Sequence, residues 1–236
     1  MTTVTVGVEW INTFHSDACS QNQLVYMDSH AEGFATSMVA NGHTWVFDWG
    51  NDNAWETDFR NPAFGNGGDA LNWSDNVNFG YFADHGGNSS NIVSICFSKA
   101  HNECLGSSDT WKLGVKNLKW LALDICDGTV GTTASAVVDV WGGPMQGVHM
   151  VFTFVNTTSP WSESEGSNFG SVAGSGQVLS NAWLDSYYSS SIGNSPIAIA
   201  AGATELEAVF RREFETIDCR DIDVTSTSWL AWKWRS

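Results

Sequence analysis

Positive charge is scarce in this sequence. Ten lysines and arginines stand against 26 aspartates and glutamates, a formal net charge of −16 over 236 residues. Nucleic acid and anionic membrane surfaces are held by clustered Lys and Arg, so neither is expected as a partner. Long apolar runs are missing as well, and none approaches the ~20 residues that cross a bilayer as a helix. The first residues, Met1-Thr-Thr-Val-Thr-Val, have no basic n-region and no h-region, so no secretory leader is expected. Cysteine is sparse: Cys19, Cys96, Cys104, Cys126 and Cys219 make an odd count with no CxxC pair. That pattern argues against a disulfide scaffold or a zinc ribbon. It leads to the expectation of reduced thiols in a cytoplasmic protein with no cofactor and no metal. Sequons at Asn72, Asn88 and Asn156 then read as chance matches in an Asn- and Ser-rich chain.

Apolar residues, at 42%, are enough for a sizeable core, and 15% charged residues are too few for a solvated disordered chain. Residues 3–10 alternate Thr with Val and then stay apolar, which predicts a strand. Further strands are expected at 44–48, 77–83, 92–97, 118–125, 148–154 and 197–201, with 228–234 available to close an edge. Helical spacing covers 30–41, ended by Asn41-Gly42, and 169–188 despite its glycines. Residues 50–75 are too rich in Gly, Asn and Asp for a regular element and read as a long excursion carrying Trp55, Phe59, Phe64 and Trp73. No repeat, heptad or linker divides the chain. One α/β domain over 1–236 is expected, with a mainly parallel sheet covered on both faces.

In open α/β sheets, working residues collect beyond the carboxyl ends of the strands. His85 follows one expected strand directly and precedes Gly86 and Gly87; Cys126 follows another, 41 residues later. Adjacent parallel strands would bring the two tips to one edge. An imidazole beside a thiol favours the nucleophilic thiolate, and glycine N–H groups suit a developing oxyanion. On position alone, the same residues also read as a core thiol and a turn histidine.

A buried strand ending in Phe82-Ala83-Asp84-His85-Gly86-Gly87 is followed by one ending in Leu121-Ala122-Leu123-Asp124-Ile125-Cys126-Asp127-Gly128. This pattern resembles the caspase–gingipain–legumain group of cysteine peptidases. The chain is also similar, more closely, to an uncharacterised caspase-like domain family of bacteria and fungi. That likeness rests on Gly7-Val8-Glu9-Trp10, Trp49-Gly50-Asn51, Ala54-Trp55-Glu56-Thr57-Asp58-Phe59, Asp75-Asn76-Val77, Leu118-Lys119-Trp120-Leu121, Trp141, Gly147-Val148-His149 and Asn181-Ala182-Trp183. The resemblance implies a caspase-like three-layer sandwich, His85 as general base and Cys126 as nucleophile, with an acyl-enzyme formed at a carbonyl.

Other residues fit a cleft around that couple. Asp124 and Asp127 can bind a cationic group or orient His85, or can simply cap strand ends, and Asp84 is a further candidate for contact with substrate. His149 can line the cleft or sit hydrogen-bonded in the core. Glu9 lies in an apolar run, where a carboxylate is costly unless paired. Thirteen tryptophans are an unusual share, and Trp45, Trp49, Trp55 and Trp73 fall close together. Trp49 and Trp55 are candidates for a substrate pocket. Glu56 and Asp58 sit in the same loop, a candidate lid. His101 and Cys104 have loose metal-like spacing but no second pair. Three functions remain open: a cysteine-dependent hydrolase or peptidase acting on a peptide or small-molecule acyl substrate; a non-proteolytic cyclase, lyase or isomerase with a Trp-lined pocket; and a non-catalytic carbohydrate- or peptide-binding module.

Overall fold

The structure is a computed structural model that describes residues 3–16, 19–156, 158, 162–218 and 226–236. Seven strands form the central sheet: β1 (Thr5–Trp10), β2 (Thr44–Gly50), β3 (Phe79–Ala83), β7 (Trp120–Asp124), β8 (Met150–Phe154), β9 (Pro196–Gly202) and β10 (Trp229–Trp234). Their order is β10-β9-β8-β7-β3-β1-β2. The pairings from β2 through β8 are parallel, and β9 and β10 add antiparallel partners at one edge. Every residue of β3, β7, β8 and β9 is buried. Near-continuous apolar runs such as Met150-Val-Phe-Thr-Phe suit strands covered on both faces.

Alternation along each strand separates two cores. Phe79, Tyr81, Trp120, Ala122 and Phe152 face α1 (Met27–Ala40), α3 (Glu165–Gly174) and α4 (Leu179–Tyr187). Phe82, Leu121, Leu123 and Val151 face the opposite way, toward α2 (Ala134–Trp141), Phe59 of the 50–75 excursion and a second, smaller sheet. That antiparallel sheet comprises β4 (Gly86–Ser89), β5 (Ile92–Cys96) and β6 (Leu105–Ser107). The strand expected at 92–97 forms as β5 and lies here rather than in the main sheet. The cause is local: Ser90 and Asn91 both take positive φ, 53° and 65°, the geometry of a tight two-residue hairpin. It folds β5 back onto β4 before the chain can return to the main sheet. The excursion itself is built of short 3-10 turns at Asn51–Asn53, Glu56–Asp58 and Pro62–Phe64.

The glycines of α3 explain a helix that propensity disfavours. Gly166 and Gly170 stand against the backbone carbonyls of His30 and Phe34, and Gly174 against the side chain of Asn41. Their spacing of four residues makes one bare stripe, along which α1 and α3 approach backbone to backbone. Phe169 projects from the same helix, stacks on Phe34 at 5.4 Å and meets Trp183 edge-to-face at 5.2 Å. Burial of each such ring is worth about 1.5–3 kcal/mol. The single helix expected over 169–188 is two, because Gly176 takes φ +86° and turns the chain between α3 and α4. Two helices were not foreseen: α2, capped by Thr133, and α5 (Glu205–Phe214), capped by Thr204.

Gly166→Ala should therefore lower unfolding free energy by at least about 2 kcal/mol in urea denaturation, since its methyl group would meet the His30 carbonyl. Gly143→Ala, which has open space beside it, should change it by less than about 0.5 kcal/mol. Equal effects would contradict the close α1–α3 crossing.

Candidate functional site

The carboxyl ends of β3 and β7 are adjacent and in register, with Ala83 opposite Asp124. Pairing extends past the strand ends, since the Asp84 N–H donates to the Asp124 carbonyl at 3.2 Å. Two residues further along each chain stand His85 and Cys126. The tips also touch between them: a Cβ on Gly86 would stand 2.8 Å from the Ile125 side chain.

His85 is held on several sides. Its Nε2 lies 2.9 Å from the Asn22 carbonyl, its ring leans on Phe14 at 5.5 Å, and its own carbonyl accepts from Cys96 N–H at 3.1 Å. A carbonyl only accepts, so Nε2 carries the proton. In the neutral ring Nδ1 then keeps its lone pair. Cys126 is half-buried, and its thiol donates to the Thr158 carbonyl at 3.4 Å. Burial pushes the thiol pKa up. The Thr158 contact opposes this, while the charges of Asp127 and Asp124 reinforce it. Cys96, the other free thiol among the described residues, is pushed to about 12 by burial and by the neighbouring Asp84 and Cys126. Asp127, at φ 50°, turns the chain away after Cys126, and its N–H donates to Asn156 O at 3.1 Å.

Asp124 belongs to a network that sequence reading missed. His30, buried on α1, reaches Asp124 Oδ2 at 2.7 Å through Nδ1. Its Nε2 reaches the Ser162 carbonyl at 2.7 Å and Glu165 at 3.1 Å. Tyr81 donates to Asp124 Oδ2 at 3.0 Å, and the Tyr81 and Tyr187 hydroxyls are in close contact. Burial pulls the imidazole pKa down, but Asp124, Glu165 and the Ser162 carbonyl outweigh it and lift it to about 10. His30 is therefore a buried cation between two carboxylates. It ties the 162–165 segment, four residues beyond the Thr158 that engages Cys126, to the end of β7. Nothing in the sequence around His30 marks a partner 94 residues away.

The remaining expected residues scatter. Asp84 is buried at the β3 end, and burial pushes its pKa well up, against the opposing effect of the neighbouring His85 and Cys96 amides. Glu9 on β1 is likewise buried and unpartnered, raised by burial and by the charge of Asp58. His149 does not join the cleft. It precedes β8 at the amino edge of the sheet and pairs with buried Glu215 at 2.7 Å, which also accepts from Trp120 Nε1. Trp49 and Trp55 do share a cavity, about 270 Å³, with Asn53, Asp58 and Trp73. Glu56 is a latch within the excursion, accepting from the Asn102 and Glu103 amides at 2.7 and 3.0 Å.

The expectation of reduced thiols is corrected by a Cys19–Cys104 disulfide. The two cysteines are 85 residues apart and carry no spacing motif, so only the fold reveals the pair. The bond also removes Cys104 from any pairing with His101, whose ring stacks on Trp55 at 4.1 Å. Cys219 lies outside the described residues. Among the described residues no His/Cys/Asp/Glu group is arranged to hold a metal ion, and no helix is long and apolar enough to cross a membrane.

The chain belongs to the family described as "Domain of unknown function (DUF6345)", whose model matches residues 8–209. No curated protein matches it.

The His30 network makes a pH prediction. Its folded pKa lies above the unfolded value near 6.5, so its contribution is fully present below that pH and is lost as pH rises through about 10. The stability difference between wild type and His30→Gln, from urea denaturation, should shrink by on the order of 2–4 kcal/mol between pH 6 and pH 10. A difference independent of pH would show that His30 is neutral in the fold.

Proposed function

We propose that this chain is a cysteine-dependent hydrolase of caspase-like fold, with Cys126 as nucleophile and His85 as general base, acting on a peptide or other acyl substrate. The observation that carries the reading is the β3–β7 register, which pairs Ala83 with Asp124 and so leads the segments bearing His85 and Cys126 off the same carboxyl edge of a parallel sheet. Support comes from the fixed ring of His85, whose Nε2 is committed to Asn22 and whose Nδ1 no described residue engages.

The raised thiol pKa bears on mechanism. Cys126 rests as a thiol, not as a preformed thiolate. Attack on the substrate carbonyl carbon then needs the thiol to turn from the Thr158 carbonyl and a concerted proton transfer: Sγ forms the C–S bond while Nδ1 of His85 takes the thiol proton. The C–N or C–O bond breaks, and His85 returns the proton to the leaving group. Water, deprotonated by His85, then cleaves the thioester C–S bond, and His85 returns that proton to Sγ. Gly87 has open space beside its Cα, which lets a substrate backbone approach closely. The Cys19–Cys104 disulfide supports an oxidising compartment over the cytoplasmic location expected from the sequence.

A positional-scanning library of peptidyl aminomethylcoumarins tests this reading. Wild type should release coumarin at least tenfold faster than Cys126→Ala, and His85→Ala should lose about 10²–10⁴ in kcat/KM. Without substrate, Cys126 should alkylate with iodoacetamide more slowly than free cysteine at pH 7, accelerating at alkaline pH. No release by wild type, or equal release by Cys126→Ala, overturns the proposal.

A further inference from the structure

The cavity lined by Trp49, Asn53, Trp55, Asp58 and Trp73 lies at the carboxyl end of β2. In the sheet order, β1 and β3 separate β2 from β7, a span of about 14 Å at 4.7–4.9 Å per strand. The mechanism above uses none of these residues. All three tryptophans are half-buried, so each ring is anchored yet accessible. Trp49 and Trp73 meet at 5.4 Å with planes 84° apart, and Phe47 backs both rings at 6.4 and 5.8 Å. Trp55 is locked twice: its ring stacks on His101 at 4.1 Å, and its Nε1 donates to Asp52 O at 2.9 Å. The walls are therefore preorganised and lose little freedom when a ligand binds.

The charge of the lining has one sign. Asp58 is its sole ionisable member, and no lysine or arginine contributes. One Asp58 oxygen accepts from the Trp55 N–H at 3.0 Å, leaving the other unengaged by any described residue. Glu9, buried with neither oxygen partnered, is near enough for its charge and that of Asp58 to act on each other. Burial lifts Asp58 to about 7; the Trp55 N–H opposes this, and the charges of Asp69 and Glu56 add to it. A bound cation would offset that cost directly.

We propose that this cavity is a binding site for a substituted ammonium group, held by cation–π contact with Trp49, Trp55 and Trp73 and by the carboxylate of Asp58. Perpendicular tryptophans form a corner that wraps a compact tetrahedral cation. A sugar ring, in contrast, calls for a flat platform ringed by several hydrogen-bonding groups, and here the polar lining is Asn53 and Asp58 alone. The volume suits a side chain or a small headgroup rather than a drug-sized molecule.

Isothermal titration of the full chain with choline and with 3,3-dimethyl-1-butanol, its neutral isostere, tests the proposal without any variant. Choline should bind at least tenfold more tightly. Asp58→Asn and Trp73→Phe, each with its melting temperature checked, should weaken choline binding at least fivefold. Neither substitution touches Cys126 or His85, so hydrolase activity and choline binding can fail independently. Equal affinity for the neutral isostere, no saturable choline binding, preferential binding of N-acetylglucosamine, or choline affinity unchanged in both folded variants would each overturn the assignment.

Discussion

The parallel pairing of β3 with β7 is the constraint on which the rest of this structure depends. Each strand is buried along its length, so a shift in register would move Phe79, Tyr81, Trp120 and Ala122 out of one core and Phe82, Leu121 and Leu123 out of the other. The register is thus fixed by packing far from any chemistry. Its consequence appears at the strand ends, where Asp84 bonds back to Asp124 and the chains run on to His85 and Cys126. The neighbouring elements are fitted to this edge. The hairpin sheet starts at Gly86, immediately after His85, and Gly86 leaves room for Ile125. On the other face, α1 contributes His30, whose pairing with Asp124 and Glu165 ties the end of β7 to the start of α3.

A second constraint is electrostatic. The chain buries Glu9, Asp58, Asp75, Asp84, Asp124, Glu165 and Glu215 while owning ten lysines and arginines in all. Histidines share the compensation: His30 serves Asp124 and Glu165, and His149, with Arg211, serves Glu215. Asp75 is met by the amides of Gly114, Lys116 and Leu118. Glu9 receives no such partner, and at Asp84 the His85 and Cys96 amides do not outweigh burial, so both are pushed toward the neutral acid. The formal charge of −16 therefore overstates the charge of the interior. Among these buried acids, Asp58 opens onto a cavity.

The sequence disclosed what burial alone decides. The apolar runs at 118–125 and 148–154 fold as β7 and β8, and 3–10 as β1, because a strand enclosed on both faces must be continuously apolar. It concealed what depends on distant partners. The stripe Gly166, Gly170, Gly174 reads as helix-breaking until α1 is laid against it. In α5, Leu206, Phe210 and Phe214 face solvent, so its periodicity signals no buried face. His149 and His85 look alike as histidines beside buried strands, yet one stands at the amino edge and the other at the carboxyl edge. Strand direction separates them, and composition does not carry it. Trp49 and Trp55 were legible as pocket residues from their number and proximity in the chain. Asp58 was legible only as a loop carboxylate, and its position against Trp73 needed the fold.

The central claim is that His85 is presented to Cys126 as a base through Nδ1. Long-range ¹H–¹⁵N correlation of the histidine rings in the folded protein reads this directly, in wild type and in Cys126→Ala. The account predicts a His85 ring with a proton held on Nε2, bonded to the Asn22 carbonyl, and an Nδ1 resonance that moves when the thiol is removed. A proton on Nδ1, or an Nδ1 signal indifferent to the loss of Cys126, would contradict it.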